Sequence, residues 1–106
     1  MATEISAQEL ARKLDAGDPP LVLHVREPEE IQLARFPRAQ HIPMNDVPAR
    51  VAELDRAREI VVICHHGMRS AHVAQYLGEQ GFPRVANLSG GIDAWSAIVD
   101  PSVPRY

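Results

Sequence analysis

An α/β fold, with a parallel sheet covered by helices on both faces, is predicted by three observations. Short apolar runs recur along the chain, at "LVLHV" (21–25), "EIVVIC" (59–64) and "RVANL" (84–88). Segments with helical spacing and cap signals lie between them, so successive strands need crossover connections and run parallel. The most apolar run, 59–64, shows no alternation of polar and apolar residues, as expected of a strand buried on both faces.

The first helix is marked at both ends. Ser6 and Glu9 have capping-box spacing, and Ile5 and Leu10 stand where a hydrophobic staple would fix the chain's entry. Leu10, Ala11 and Leu14 share one helical face, and Gly17 followed by "DPP" stops the helix. "LVLHV" is then a buried strand. A polar loop, "REPEEIQLARFPR", follows, with one helical turn around Glu29–Leu33, and "QHIP" (40–43) is another short strand. Asn45 or Asp46 caps the next helix, with Pro48 in its first turn, running through Val51 and Leu54. "EIVVIC" is the central strand, and "HHGM" breaks it. Arg69 or Ser70 opens an amphipathic helix with Ala71, Val73, Ala74 and Leu77 toward the core and His72, Gln75 and Glu79 outward. Gly81 stands where such a helix ends in the left-handed conformation, and Phe82 is placed to pack back on Leu77 in a Schellman motif. "RVANL" is a further strand, "SGG" (89–91) a tight loop and "IDAWSAI" a last short helix ending before Pro101.

Composition narrows the function classes. The 106 residues suit one domain, 1–106. The net charge of −3 comes from interspersed signs. That disfavours nucleic acid, whose phosphates require a concentrated basic face. No apolar run approaches the ~20 residues of a membrane span. "MATEISAQELARK" is polar and acidic where a secretory signal would be basic and then apolar. A single cysteine forms no internal disulfide, which points to a reducing, cytoplasmic setting.

The chemistry gathers at "ICHHGMRS" (63–70), which holds the only cysteine. Ligands of open α/β sheets bind where the carboxyl ends of strands lead into helices, and Cys64 falls at such a junction. Loop N–H groups and a helix N-terminus concentrate positive potential there, and Arg69 adds a full charge, so thiolate is favoured over thiol. Gly67 permits the sharp loop and close approach of a ligand. A buried cysteine that only packs is the competing reading. A metal site from Cys64, His65, His66 and His72 is weaker, because residues adjacent in sequence rarely converge on one tetrahedral ion. His65 and His66 read as a loop wall, His72 as a solvated helix residue, and His24 and His41 as isolated structural histidines.

In "LVLHVREPEE", "HIP", "VVICHHGMRSAHVAQYLGEQGF" and "RVANLSGGIDAW" the chain resembles the rhodanese-like sulfurtransferase domain over nearly all its length. The resemblance implies a five-stranded parallel sheet flanked by helices on both faces, with Cys64 as the sulfur carrier. It implies that His65, His66, Gly67, Met68 and Arg69 form a cradle whose amides surround the sulfur, that Arg69 holds the loop or an anionic donor, and that Ser70 begins the following helix. Trp95 and "SGG" resemble packing elements. Four residues separate Cys64 from Arg69, whereas the phosphatases of this superfamily have five, so the tighter ring suits sulfur better than phosphate. Two departures stand out. The family often has Asp-Val-Arg where this chain has His24-Val25-Arg26, and Gly-His-Ile-Pro-Gly where it has Ala34-Arg35-Phe36-Pro37-Arg38. Arg26 and Glu27 read as a polar network supporting the loop, from which His24 removes a fixed anion. The activity so implied is ping-pong transfer of sulfane sulfur from a small donor, such as thiosulfate or a persulfide, to cyanide or to a small or protein thiol. It requires neither metal nor organic cofactor. A non-enzymatic partner-binding module is the alternative, disfavoured because Cys64, Gly67 and Arg69 are all retained.

Overall fold

A computed structural model describes residues 3–17, 19–25, 39–64 and 67–100. Five parallel strands form one sheet: β1 (Thr3–Ile5), β2 (Leu21–His24), β3 (Ala39–His41), β4 (Ile60–Ile63) and β5 (Val85–Leu88), in the order β1-β5-β4-β2-β3. Helices α1 (Ala7–Asp15), α2 (Val47–Arg50), α3 (Met68–Glu79) and α4 (Gly91–Ile98) complete it. The α/β class, the five parallel strands and the helices on both faces are as expected.

Strand alternation divides the core. Val61 and Ile63 of β4 join Val22, Ala86, Leu88, Leu10, Ile92 and Trp95 on the face covered by α1 and α4. Ile60, Val62 and Cys64 join Leu23, Val25, Val73, Ala74, Leu77 and Phe82 on the face covered by α3. All four residues of β4 are fully buried, which explains its unbroken apolar run. Among the described residues no helix is long and apolar enough to cross a membrane.

The cap signals of α1 are realised. Glu9 N–H donates to Ser6 Oγ at 3.1 Å, and Ser6 N–H donates to Glu9 Oε1 at 3.3 Å. Ile5 and Leu10 are buried in one cluster. The helix stops just before Gly17, as expected, with Ala16 as the C-cap in extended conformation; Gly17 itself does not take a positive φ. The segment expected as one helix from Asn45 or Asp46 to Leu54 is broken into a 3₁₀ turn (Met44–Asp46), α2 and a second 3₁₀ turn (Val51–Glu53). Asp46, at the N-cap of α2, makes no side-chain cap bond, so the expected capping signal is not realised there. Arg50 donates from Nε and Nη2 to Glu53, both at 2.9 Å, and this pairing holds the Glu53 carboxyl below its ordinary range.

The end of α3 follows the Schellman pattern. Gly81 has φ +92°, Phe82 N–H donates to Leu77 C=O and Gly81 N–H to Gly78 C=O, both at 3.1 Å. Arg56 adds a second lock. Its Nη1 donates to Gln80 C=O at 2.5 Å, and its guanidinium lies 4.3 Å from the Phe82 ring centroid. Gly78, by contrast, is an exposed helical glycine, and a Cβ there meets nothing within 4 Å. Gly78→Ala is therefore expected to stabilise the fold by about 0.5–1 kcal/mol, by removing backbone freedom from the unfolded chain. Urea denaturation checks this, and a lowered midpoint would contradict it.

Candidate active site

Cys64 follows the last residue of β4 and is almost wholly buried, on the α3 face of the sheet. Its carbonyl accepts Ile92 N–H at 2.8 Å, so the first turn of α4 holds the strand's end in place. Its sulfur faces the start of α3. That helix begins at Met68, earlier than the expected Arg69 or Ser70, and its N-cap is Gly67. The reason is backbone geometry: Gly67 sits at φ +103°, a left-handed conformation that turns the chain sharply into the helix. A consequence is that Ser70 lies within the first turn and is fully buried, while Ala71, expected in the core, is only half-buried. The inward stripe runs Ser70, Val73, Ala74 and Leu77, at helical spacing.

Among the described residues, three donors converge on the sulfur. Gly67 N–H lies 3.1 Å from Sγ, Ser70 N–H 3.4 Å and Ser70 Oγ 3.3 Å. N–H groups at a helix N-terminus, carrying the positive end of the dipole, favour a negative charge on that atom. Arg69 stands in the same turn, half-buried, and Met68 is exposed. His72 is exposed on the outer side of α3, as expected. His65, His66, Arg26 and Glu27, the Ala34–Arg38 departure and the turn expected around Glu29–Leu33 lie outside the described residues. A groove of about 310 Å³, lined by Thr3, Gln75, Gly78, Glu79 and Pro83, opens toward the far end of α3, away from the cysteine. The sulfur thus sits in a cradle of backbone, separate from that groove.

Two residues that sequence reasoning passed over stand behind the cradle. Asn87, on β5, is buried, and its Nδ2 donates to Gly67 C=O at 3.1 Å and to both Glu4 carboxylate oxygens at 3.1 Å. Its Oδ1 accepts a short hydrogen bond from Ser70 Oγ. Glu4 pairs with Asn87 across β1 and β5 and also accepts from Ser89 Oγ at 2.8 Å. A polar residue inside the otherwise apolar "VANL" was the available signal, because a buried amide needs partners.

His24 and His41 are not isolated. They are register partners on β2 and β3, with ring centroids 6.0 Å apart and planes at 71°, an edge-to-face contact. Their sequence separation hides a neighbour relation that only strand pairing creates. Alternation along β2 puts His24 on the face of Val22, whereas Cys64 shares the face of Leu23 and Val25. His24 therefore lies on the opposite face of the sheet from the cysteine sulfur.

The rhodanese-like domain family model matches residues 6–98. Sequence comparison finds YtwF of Bacillus subtilis (strain 168), whose name marks it as a candidate sulfurtransferase. It is 43% identical, over 92% of this chain and 94% of that protein. A protein of Allochromatium vinosum named as a sulfurtransferase is 38% identical, over 91% of this chain and 90% of its own length. Among solved structures, a rhodanese-like domain protein from Staphylococcus aureus superposes with a TM-score of 0.85 at 30% identity, covering 98% of both chains.

Proposed function

This chain belongs to the rhodanese-like domain family, and we propose that it is a sulfurtransferase that carries sulfane sulfur as a persulfide on Cys64. The observation that supports this most directly is the set of donors around Sγ: two backbone N–H groups and a hydroxyl, all within 3.4 Å.

In the first half-reaction the Cys64 thiolate attacks the outer sulfur of a donor such as thiosulfate. The new S–S bond forms as the donor's S–S bond breaks, and sulfite leaves with the electron pair. The negative charge passes to the outer sulfur of Cys64–S–S⁻, where the amides of the loop and the first turn of α3 stabilise it. Arg69 draws an anionic donor to the loop and balances the charge that remains. In the second half-reaction cyanide or a thiolate attacks the outer sulfur. The bond to Sγ breaks, and the Cys64 thiolate departs with that pair. No net oxidation occurs, so neither step calls on a redox cofactor or a metal. Met68, His65 and His66 would wall the entrance, and Arg26 would support the loop. A lone thiol used in this way suits a reducing compartment, the cytoplasm.

The relatives named as sulfurtransferases, at 43% and 38% identity, support the same reading. Intact-mass spectrometry after treatment with thiosulfate is expected to show one added sulfur, removed by cyanide and blocked by prior alkylation. A protein that gains no sulfur from thiosulfate or from a small persulfide would sink the proposal and favour a partner-binding module.

A further inference from the structure

The network behind Cys64 has a direction, and that direction follows from which atoms can donate. Asn87 Nδ2 meets three acceptors: both oxygens of Glu4 and the carbonyl of Gly67, each at 3.1 Å. Turning the amide over would set its oxygen against all three. Two hydrogens on Nδ2 are thereby used, one toward the carboxylate and one toward the carbonyl, and Oδ1 is left facing the Ser70 hydroxyl. That hydroxyl carries a single proton and, among the described residues, has two acceptors, Asn87 Oδ1 and Cys64 Sγ, the latter at 3.3 Å. Ser70, Asn87 and Cys64 are all buried, so solvent does not dilute the competition.

Resting on the persulfide reading above, we propose that Asn87 is a positioning residue for sulfur transfer. Its side-chain oxygen competes with Cys64 Sγ for the one hydroxyl proton of Ser70, and Glu4 holds the amide in the orientation that makes it compete. The hydroxyl then follows the charge on sulfur. When Cys64 is a thiolate, the charged acceptor is the stronger one and draws the hydroxyl. When the persulfide has formed, the charge resides on the outer sulfur, Sγ is a weak acceptor, and the hydroxyl returns to Asn87. The Glu4 carboxylate strengthens the amide oxygen by polarising the amide from its other end. Competition of this kind keeps the thiolate from being over-stabilised, which preserves it as an attacking nucleophile, while a place for the hydroxyl remains when sulfur is loaded.

Removing the competitor has opposite effects on the two half-reactions. With the hydroxyl held on Sγ throughout, the thiolate attacks more slowly but departs more readily, since nucleophilicity and leaving ability move in opposite senses with thiolate stability. Asn87→Leu keeps approximate volume and removes the acceptor. At a pH where the thiol is fully ionised, it is expected to slow loading by thiosulfate about three- to tenfold and to speed discharge by cyanide by a similar factor. Both effects are expected to vanish in a Ser70→Ala background. If both rates fall together, or if the changes persist without the Ser70 hydroxyl, Asn87 merely packs and the proposal is overturned. Should Asn87→Leu fail to fold, Glu4→Ala on the exposed edge strand decides between the two outcomes. The same split, smaller and lost with Ser70→Ala, supports the proposal. Unchanged rates, or a split that survives Ser70→Ala and so reflects through-space charge alone, overturn it. Alkylation of Cys64 by iodoacetamide replaces loading as a readout that needs no sulfur donor. If the wild-type protein takes up no sulfur, the sulfurtransferase reading fails while slower alkylation in Asn87→Leu still tests the competition.

Discussion

Cys64→Ser is expected to lower sulfur transfer to the uncatalysed background, a loss of at least about a thousandfold, while leaving the fold in place. The substitution changes one atom in a site whose other parts are largely backbone. Gly67 N–H and the Ser70 groups that lie within 3.4 Å of Sγ would have an oxygen to address in its place. The stability cost should therefore stay at about 1–2 kcal/mol. The chemical cost is of another order. A serine hydroxyl keeps its proton at neutral pH, and N–H donors stabilise an anion without removing that proton. Even an oxygen that attacked sulfur would lack the thiolate's ability to leave again in the second half-reaction. Thiocyanate production from thiosulfate and cyanide, followed alongside intact mass, measures both halves. Turnover above about a hundredth of wild type in Cys64→Ser would place the nucleophile elsewhere. Equal, negligible turnover in wild type and variant would fit a module that binds without catalysing.

How much of this was legible in the sequence depends on whether the deciding interaction was local. Ser6 and Glu9 lie three residues apart, and their reciprocal bonds form as the spacing predicts. Gly81 and Phe82 close the end of α3 in the same local way, with Phe82 returning to Leu77. β4 was readable because burial on both faces leaves an unbroken apolar run. β1 was not. Thr3–Ile5 is too short to show a period, and its identity as a strand comes only from pairing with β5. The resemblance supplied five strands without saying that these residues were one of them.

The candidate site divides along the same line. Cys64, Gly67 and Ser70 are close in the chain, and the strand–loop–helix junction was visible in composition. The helix start was misplaced because Gly67 reads as a loop residue, and its role as N-cap follows from a backbone angle that sequence does not display. Asn87 and Glu4 reach the cradle across 20 residues in one case and through strand pairing in the other. The pairing of His24 with His41 is likewise a product of register. Local capping rules contain no information of that kind.

Gly67→Ala is expected to damage the cradle without touching any side chain that meets sulfur. The residue's φ of +103° is one that L-residues rarely adopt, and a Cβ built there lies 3.3 Å from both Gly90 N and Leu88 O, with Asn87 Nδ2 at 3.7 Å. The two nearest atoms are backbone, at the end of β5 and in the turn before α4, so neither can swing aside as a side chain would. Left-handed backbone alone costs about 1–2 kcal/mol in a non-glycine residue. Crowding adds to this, giving an expected loss of about 1–3 kcal/mol in urea denaturation. If the loop relieves the crowding by moving, it carries Gly67 N–H away from a sulfur now 3.1 Å distant and loosens the Gly67 carbonyl from Asn87. Misplacement of that size is expected to lower the loading rate at least about tenfold. The measurement belongs at a temperature where the variant is fully folded, so that lost rate is not lost protein. Gly78→Ala serves as the contrast, since a methyl group there meets open space and its helical backbone suits alanine. Wild-type loading in a fully stable Gly67→Ala protein would show that the cradle does not depend on this backbone turn. A slow, folded variant would show that much of the chemistry at Cys64 is held in the conformation of one glycine.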